Sequence, residues 1–328
     1  MTLRRVGQQF TEGTIAFGEA SSCFGVRTPW LPGLLLFTAT LQAAVPLDPH
    51  SQATLTLPDL SPGTPAAGKR VAVTAPEYQG TRVFHTLYLP PDWTPSAPPT
   101  PVIFEYTGNH FPPSGSTGKV EDAGLGFGLS GGRYLWVSLP YIAPNRQENE
   151  VTWWGDIGAT VQYAKTNVPR IIDQFKADQQ QVFLCGFSRG AIGVNFLGLR
   201  DDDIAKLWTA FIAHDHFDGV KSWPNTRWGG SLDSYRAAAL ERLRRIKGRP
   251  YLVSQNGSTD DTLGYLRQTL GDLSAFTFNT IHVAEILGPF PNSLAKSAHT
   301  DRWLFLPSAS RKRTWQWMNQ TIRGQSAR

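Results

Sequence analysis

Cysteine is nearly absent from this chain of 328 residues, which holds only Cys23 and Cys185. A disulfide framework is therefore excluded as the source of stability, and the hydrophobic core must supply it. The apolar stretch within 31–44 falls short of the roughly 20 residues a membrane span requires, so no membrane span is expected. Charged residues make up 17 % of the chain, and the net charge of +5 is scattered. The basic clusters Arg244-Arg245 and Arg311-Lys312-Arg313 are not interleaved with aromatics, which argues against a nucleic-acid partner. No internal repeat is found. What the chain does have is 41 % hydrophobic and 12 % aromatic residues, enough for a sizeable globular core.

Residues 31–44 place a short apolar run before small residues, with Arg4, Arg5 and Arg27 upstream. This is the order of a secretory signal: a basic region, an apolar region and a small-residue cleavage site. Cleavage is expected near Ala43 or Ala44, giving an exported or periplasmic protein. That cleavage would remove Cys23 and leave Cys185 alone. A helix packed on the domain is the alternative, although Pro32 and Gly33 interrupt it. Residues 45–68, rich in Pro, Ser, Thr and Gly, read as a linker.

From residue 69 on, extended and helical patterns alternate. Strands are expected at 71–74, 82–89, 102–106, 134–139, 181–185, 208–213, 251–254 and 276–286. Helices are expected at 157–176, 191–199, 234–246 and 262–270, with a last one after Trp303, and 113–132 reads as a Gly-rich loop. The alternation implies an α/β fold, a mostly parallel sheet with helices on both faces. The segments at Trp153-Trp154 and from Trp223 to Trp228 read as exposed loops near the carboxyl edge of that sheet.

Chemistry concentrates at 186–190, Gly-Phe-Ser-Arg-Gly, which follows a buried strand and precedes a helix. G-x-S-x-G in that context is a nucleophile turn: two glycines permit a tight bend that lifts the Ser188 hydroxyl above the sheet. A serine needs a base, and of seven histidines His299 is best placed, in a loop before the terminal helix. A carboxylate must then orient His299. Asp260, just past the strand at 251–254, fits best, with Asp261, Asp215 and Asp218 as alternatives; a helix cap is the plain reading of Asp260. The oxyanion donors are expected to be the backbone N–H groups of Arg189 and Asn109. His214 and His216 lack further ligands at a suggestive spacing, so no metal site is assigned. Asp201-Asp202-Asp203 reads as a turn and helix cap.

Gly186-Phe-Ser188-Arg-Gly190, Asp260 and His299, in the order Ser–Asp–His with spacings of 72 and 39 residues, resemble the α/β-hydrolase superfamily. The likeness points to its secreted esterase, dienelactone-hydrolase-like and prolyl-oligopeptidase-like branch. It implies an eight-stranded, mainly parallel sheet, a serine triad and no cofactor. The implied partner is an ester, either a small molecule or a polysaccharide or polyester. Thr107-Gly-Asn-His110 departs from the His-Gly-Gly-Gly of many lipases. A serine peptidase on the same fold and a non-catalytic binding member are the alternative functions.

Overall fold

The computed structural model describes residues 45–223 and 231–326. The expected leader at 1–44 and Trp228 lie outside the described residues. The strands are β1 (Leu60–Ser61), β2 (Arg70–Val73), β3 (His85–Tyr88), β4 (Thr100–Tyr106), β5 (Leu135–Leu139), β6 (Tyr141–Ile142), β7 (Asn149–Glu150), β8 (Ala177–Phe187), β9 (Ala210–His214), β10 (Tyr251–Asn256) and β11 (Phe276–Ile281). The helices are α1 (Leu125–Ser130), α2 (Ile157–Gln174), α3 (Arg189–Phe196), α4 (Asp202–Ala205), α5 (Leu232–Leu243), α6 (Asp260–Leu270), α7 (Val283–Leu287) and α8 (Ala309–Ser326).

Nine strands form one sheet in the order β1-β2-β3-β5-β4-β8-β9-β10-β11, in which β3 alone runs against its neighbours. Successive residues of a strand face opposite sides, and the central strands are apolar on both. Val102, Phe104, Tyr106, Val182 and Leu184 pack in one core with Ala164 and Val168 of α2 and Ile192 of α3. Ile103, Trp136, Phe183 and Cys185 pack in a second core with Leu129 of α1 and Trp317 and Met318 of α8. Helices thus cover both faces, as the near-continuous apolar runs of the strands require. This is the expected α/β fold, a mostly parallel sheet with helices on both faces, with nine sheet strands where eight are expected. No helix among the described residues is long and apolar enough to cross a membrane.

Three stretches differ from the sequence reading. The Gly-rich segment 113–132 contains α1, whose first N–H groups are taken by a buried carboxylate. Glu105 of β4 accepts from Leu125 N at 3.2 Å, Gly126 N at 2.8 Å and Trp136 Nε1 at 2.8 Å. Burial, with Asp301 nearby, pushes the Glu105 carboxyl up to about 7. A Cβ at Gly126 would lie 2.3 Å from Trp136, so low helix propensity here is the cost of close packing. The strand expected at 276–286 ends at Ile281 and gives way to α7. Residues 45–68 are laid against the domain: Leu47 N donates to Asn319 Oδ1 at 2.9 Å, and the buried Arg311 donates to the carbonyls of Ser51 and Ala53.

His85 on β3 is buried, with Nδ1 2.7 Å from Tyr163 Oη and Nε2 unpartnered. Burial pushes its imidazolium down to about 4. The unfolded chain takes up this proton near 6.5, so between about 6.5 and 4 it binds more protons than the folded one. The stability that follows is complete above about 6.5 and is lost as pH falls toward 4, by roughly 3 kcal/mol at most. Urea melts from pH 7.5 to 4.5 are expected to show this decline. The slope should be shallower in His85→Gln, which keeps a polar partner for Tyr163 but does not titrate there.

Candidate active site

β8 runs into α3 through a single residue, Ser188, at φ 54° and ψ −121°. This conformation is costly for any residue with a side chain and persists only where its surroundings enforce it. The flanking glycines do so. A Cβ at Gly186 would stand 2.1 Å from the Gly190 carbonyl oxygen, and one at Gly190 would stand 1.9 Å from that of Tyr106. Ser188 N donates to His214 O at 2.9 Å, tying the turn to the end of β9.

Ser188 Oγ lies 2.9 Å from His299 Nε2, and His299 Nδ1 lies 2.9 Å from Asp215 Oδ2. A carboxylate only accepts, so Asp215 fixes the ring proton on Nδ1 and leaves Nε2 free to accept from the serine. Asp215 is the first residue after β9 and sits at φ 72°. Its other oxygen accepts from Asn256 N at 2.7 Å, and its own N–H donates to Ser254 O at 2.9 Å. Burial would raise its carboxyl, but the attraction of His214 and His299 and the hydrogen bonds from His299 and Asn256 outweigh that and hold it below the usual carboxylate range.

Asp260, the acid favoured by the sequence, does not meet His299. It opens α6 in solvent, where its N–H donates to Ser258 Oγ at 2.9 Å. β9 lies directly beside β8, whereas β10 is one strand further out, so the residue after β9 has the shorter reach. Asp261 is also exposed, 3.8 Å from Lys221. Asp218 is buried against Arg242 Nε at 2.7 Å and Tyr235 Oη at 2.8 Å, a structural pair. The signal for Asp215 is its place at the very end of a buried strand, a feature the longer Asp260 loop obscured.

The loop 107–109 after β4 faces the serine. Each of its acceptors is held by the protein: Thr107 O by Tyr141 Oη at 2.8 Å, Gly108 O by Arg189 Nη2 at 3.0 Å, and Asn109 O by Ser116 Oγ at 2.6 Å. Asn109 Oδ1 accepts from Trp153 N at 2.8 Å. The Asn109 N–H has no protein acceptor among the described residues. Arg189 and Asn109 both border a cavity of about 330 Å³ over Ser188, whose apolar walls include Phe111, Trp153, Ile192 and Trp223.

One aromatic expectation needs correction. Trp154 is not an exposed loop residue but is 1 % exposed and stacked on Phe196 at 4.1 Å between ring centroids. His216, to which the sequence assigned no role, lies on the cavity wall edge-to-face with Trp223 at 4.8 Å. Burial, helped by His299, pushes its imidazolium down to about 4. His214 is fully buried, Nδ1 at 3.1 Å from Ser254 O and Nε2 accepting from Trp303 Nε1 at 3.0 Å. Asp201 caps α4, as expected.

No protein-family model matches the chain, and no curated protein matches it. Among solved structures it is similar to a thermostable esterase (14 % identity, TM-score 0.47), over 76 % of this chain and only 62 % of the esterase. It is similar to a ferulic acid esterase at 13 % identity, over 77 % of this chain and 96 % of that one, with a TM-score of 0.45. A sugar hydrolase from Lactococcus lactis aligns at 13 % identity over 79 % and 99 %, with a TM-score of 0.48.

The geometry makes Gly190→Ala a direct check of the turn. A methyl group there meets backbone on β4, which cannot move aside, so the cost is expected to be about 3 kcal/mol or more. The thermal midpoint should fall well below that of the half-buried control Gly264→Ala, whose added methyl group has open space around it.

Proposed function

We propose that the chain is a serine hydrolase of carboxylic esters in which Ser188 is the nucleophile, His299 the base and Asp215 the orienting acid. The observation that carries this reading is the unbroken line from Ser188 Oγ through the His299 ring to Asp215, both contacts at 2.9 Å. His299 Nε2 takes the hydroxyl proton as Oγ attacks the acyl carbonyl, and the oxyanion lies between the N–H groups of Arg189 and Asn109. Collapse releases the alcohol with the proton from His299 and leaves an acyl-Ser188. Water, deprotonated by the same ring, attacks in turn and frees the acid. Asp215, kept ionised in its buried site, stabilises the imidazolium in each half.

The cavity over Ser188 supports an acyl group with a flat apolar portion, since Trp153, Trp223 and Phe111 border it. Phe111, half exposed at 49 %, extends the apolar wall outward. The pattern of residues 4–44 supports export, and N-terminal sequencing of secreted material is expected to begin near Val45; intact Met1 on secreted protein would overturn that part.

Ser188→Ala is expected to abolish hydrolysis of p-nitrophenyl esters and labelling by a fluorophosphonate, with circular dichroism unchanged. Asp215→Asn should lower kcat by about 10⁴ with KM little altered, the size found where a serine-protease acid loses its charge. Asp260→Asn should leave kcat within about twofold. A large loss from Asp260→Asn with none from Asp215→Asn would overturn the assignment of the acid.

A further inference from the structure

Arg189 is a buried cation with an unusual setting. It is 1 % exposed, and among the described residues no carboxylate forms an ion pair with it, Glu150 attracting it only from further off. A buried charge without a counter-ion is costly unless its hydrogen bonds compensate. Those bonds are concentrated on the nucleophile's surroundings. Nη2 donates to Gly108 O at 3.0 Å, and Nη1 donates to Trp153 O and, at 3.3 Å, to Asn109 Oδ1. The flat face of the guanidinium rests on the Tyr141 ring, 4.0 Å from its centroid. Burial pushes its pKa down to about 10, so it remains a cation at neutral pH.

Gly108 O and the Asn109 N–H belong to one peptide unit. In a trans planar peptide these two groups point in opposite directions. A donor fixed on the oxygen therefore fixes where the N–H points, and a positive charge beside the oxygen draws electron density toward it and strengthens the N–H as a donor. Such a lock is needed here. Glycine at 108 leaves the preceding backbone free to rotate, and a flipped peptide would turn its carbonyl, instead of its N–H, toward the developing oxyanion.

We propose that the Arg189 side chain is a positioning group for the oxyanion site, which clamps and polarises the Gly108–Asn109 peptide while the backbone N–H of Arg189 supplies the other donor. The inference rests on the ester-hydrolase reading above. It adds a second role to a residue whose main chain alone is expected to act. The same guanidinium holds Trp153 O, so the loop donor and the aromatic wall of the cavity share one anchor.

The test uses the full chain and the variants Arg189→Lys, Arg189→Gln and Arg189→Ala, each confirmed folded by circular dichroism. Wild-type hydrolysis of p-nitrophenyl acetate and its fluorophosphonate labelling at Ser188 check the underlying reading separately. If both are absent, that reading fails and the proposal fails with it. With the wild type active, Arg189→Gln is expected to lose about 10²–10³ in kcat, as when an oxyanion donor is removed, with KM changed less than threefold. Affinity for phenylboronic acid, whose tetrahedral adduct on Ser188 mimics the oxyanion, should fall in parallel. Methylguanidinium should partly restore kcat to Arg189→Ala. If Gln and Ala do not fold, Arg189→Lys decides alone. A single ammonium is a point donor that cannot span Gly108 O and Trp153 O as the guanidinium fork does, so its kcat should fall at least about tenfold. Wild-type kcat in any folded variant, or a loss of kcat with boronate affinity intact, would overturn the proposal.

Discussion

The close approach of α3 to the end of β4 is the constraint on which the site depends. At Gly190 the two backbones come so near that no side chain fits between them. That approach forces the chain from β8 into α3 within one residue, and Ser188 takes a backbone conformation it would not otherwise adopt. It also brings Arg189 beside the loop 107–109, where its guanidinium reaches Gly108 O. Were the helix an ångström further away, the serine would relax, and the arginine would hold a different set of acceptors or none.

Around this contact the parallel strands act as a ruler. β4, β8 and β9 are neighbours and end at one edge of the sheet. Each delivers one component there: the loop 107–109 from β4, Ser188 from β8 and Asp215 from β9. Such carboxyl-edge placement is how open α/β sheets assemble sites from distant segments. His299 comes from outside the sheet, held between Asp215 and the Phe187 ring, 4.8 Å between ring centroids. The polar line is thus fixed at the acid end by the sheet and at the base end by aromatic packing.

Most of the sheet was legible in the sequence because its central strands are apolar on both faces, and Gly186 to Gly190 marked the tight strand-to-helix turn at Ser188 without any alignment. The contact of His299 with Ser188 was legible as well, since a histidine in a loop after the last strand has few structural reasons to be there. The carboxylate that meets His299 was not. Asp215 and Asp260 both follow strands, and local sequence does not say which strand lies beside β8. That ordering comes from long-range pairing. α1 was hidden for another reason: glycines chosen to pack against Trp136 erase helix propensity, and the carboxylate that starts the helix lies some 20 residues earlier in the chain. Trp154 was misjudged because its Gly- and Asp-rich surroundings look like an exposed loop, while the ring itself stacks in the core.

Cys185 lies three residues before Ser188, on β8 and fully buried, with β4 and β9 on either side of its strand. Burial raises its thiol well above the ordinary value, so in the closed sheet it is neither accessible nor ionised. It can react with an alkylating reagent only in molecules where the cover of α1 and α8 over this face of the sheet has momentarily lifted, which is a sub-global or global opening. In a chain cleaved near residue 44 it is the sole sulfhydryl, and its labelling rate becomes a clock for how often the sheet face beneath α1 and α8, next to the turn at Ser188, is uncovered. The fold thus contains its own reporter of opening at the place where opening would matter most.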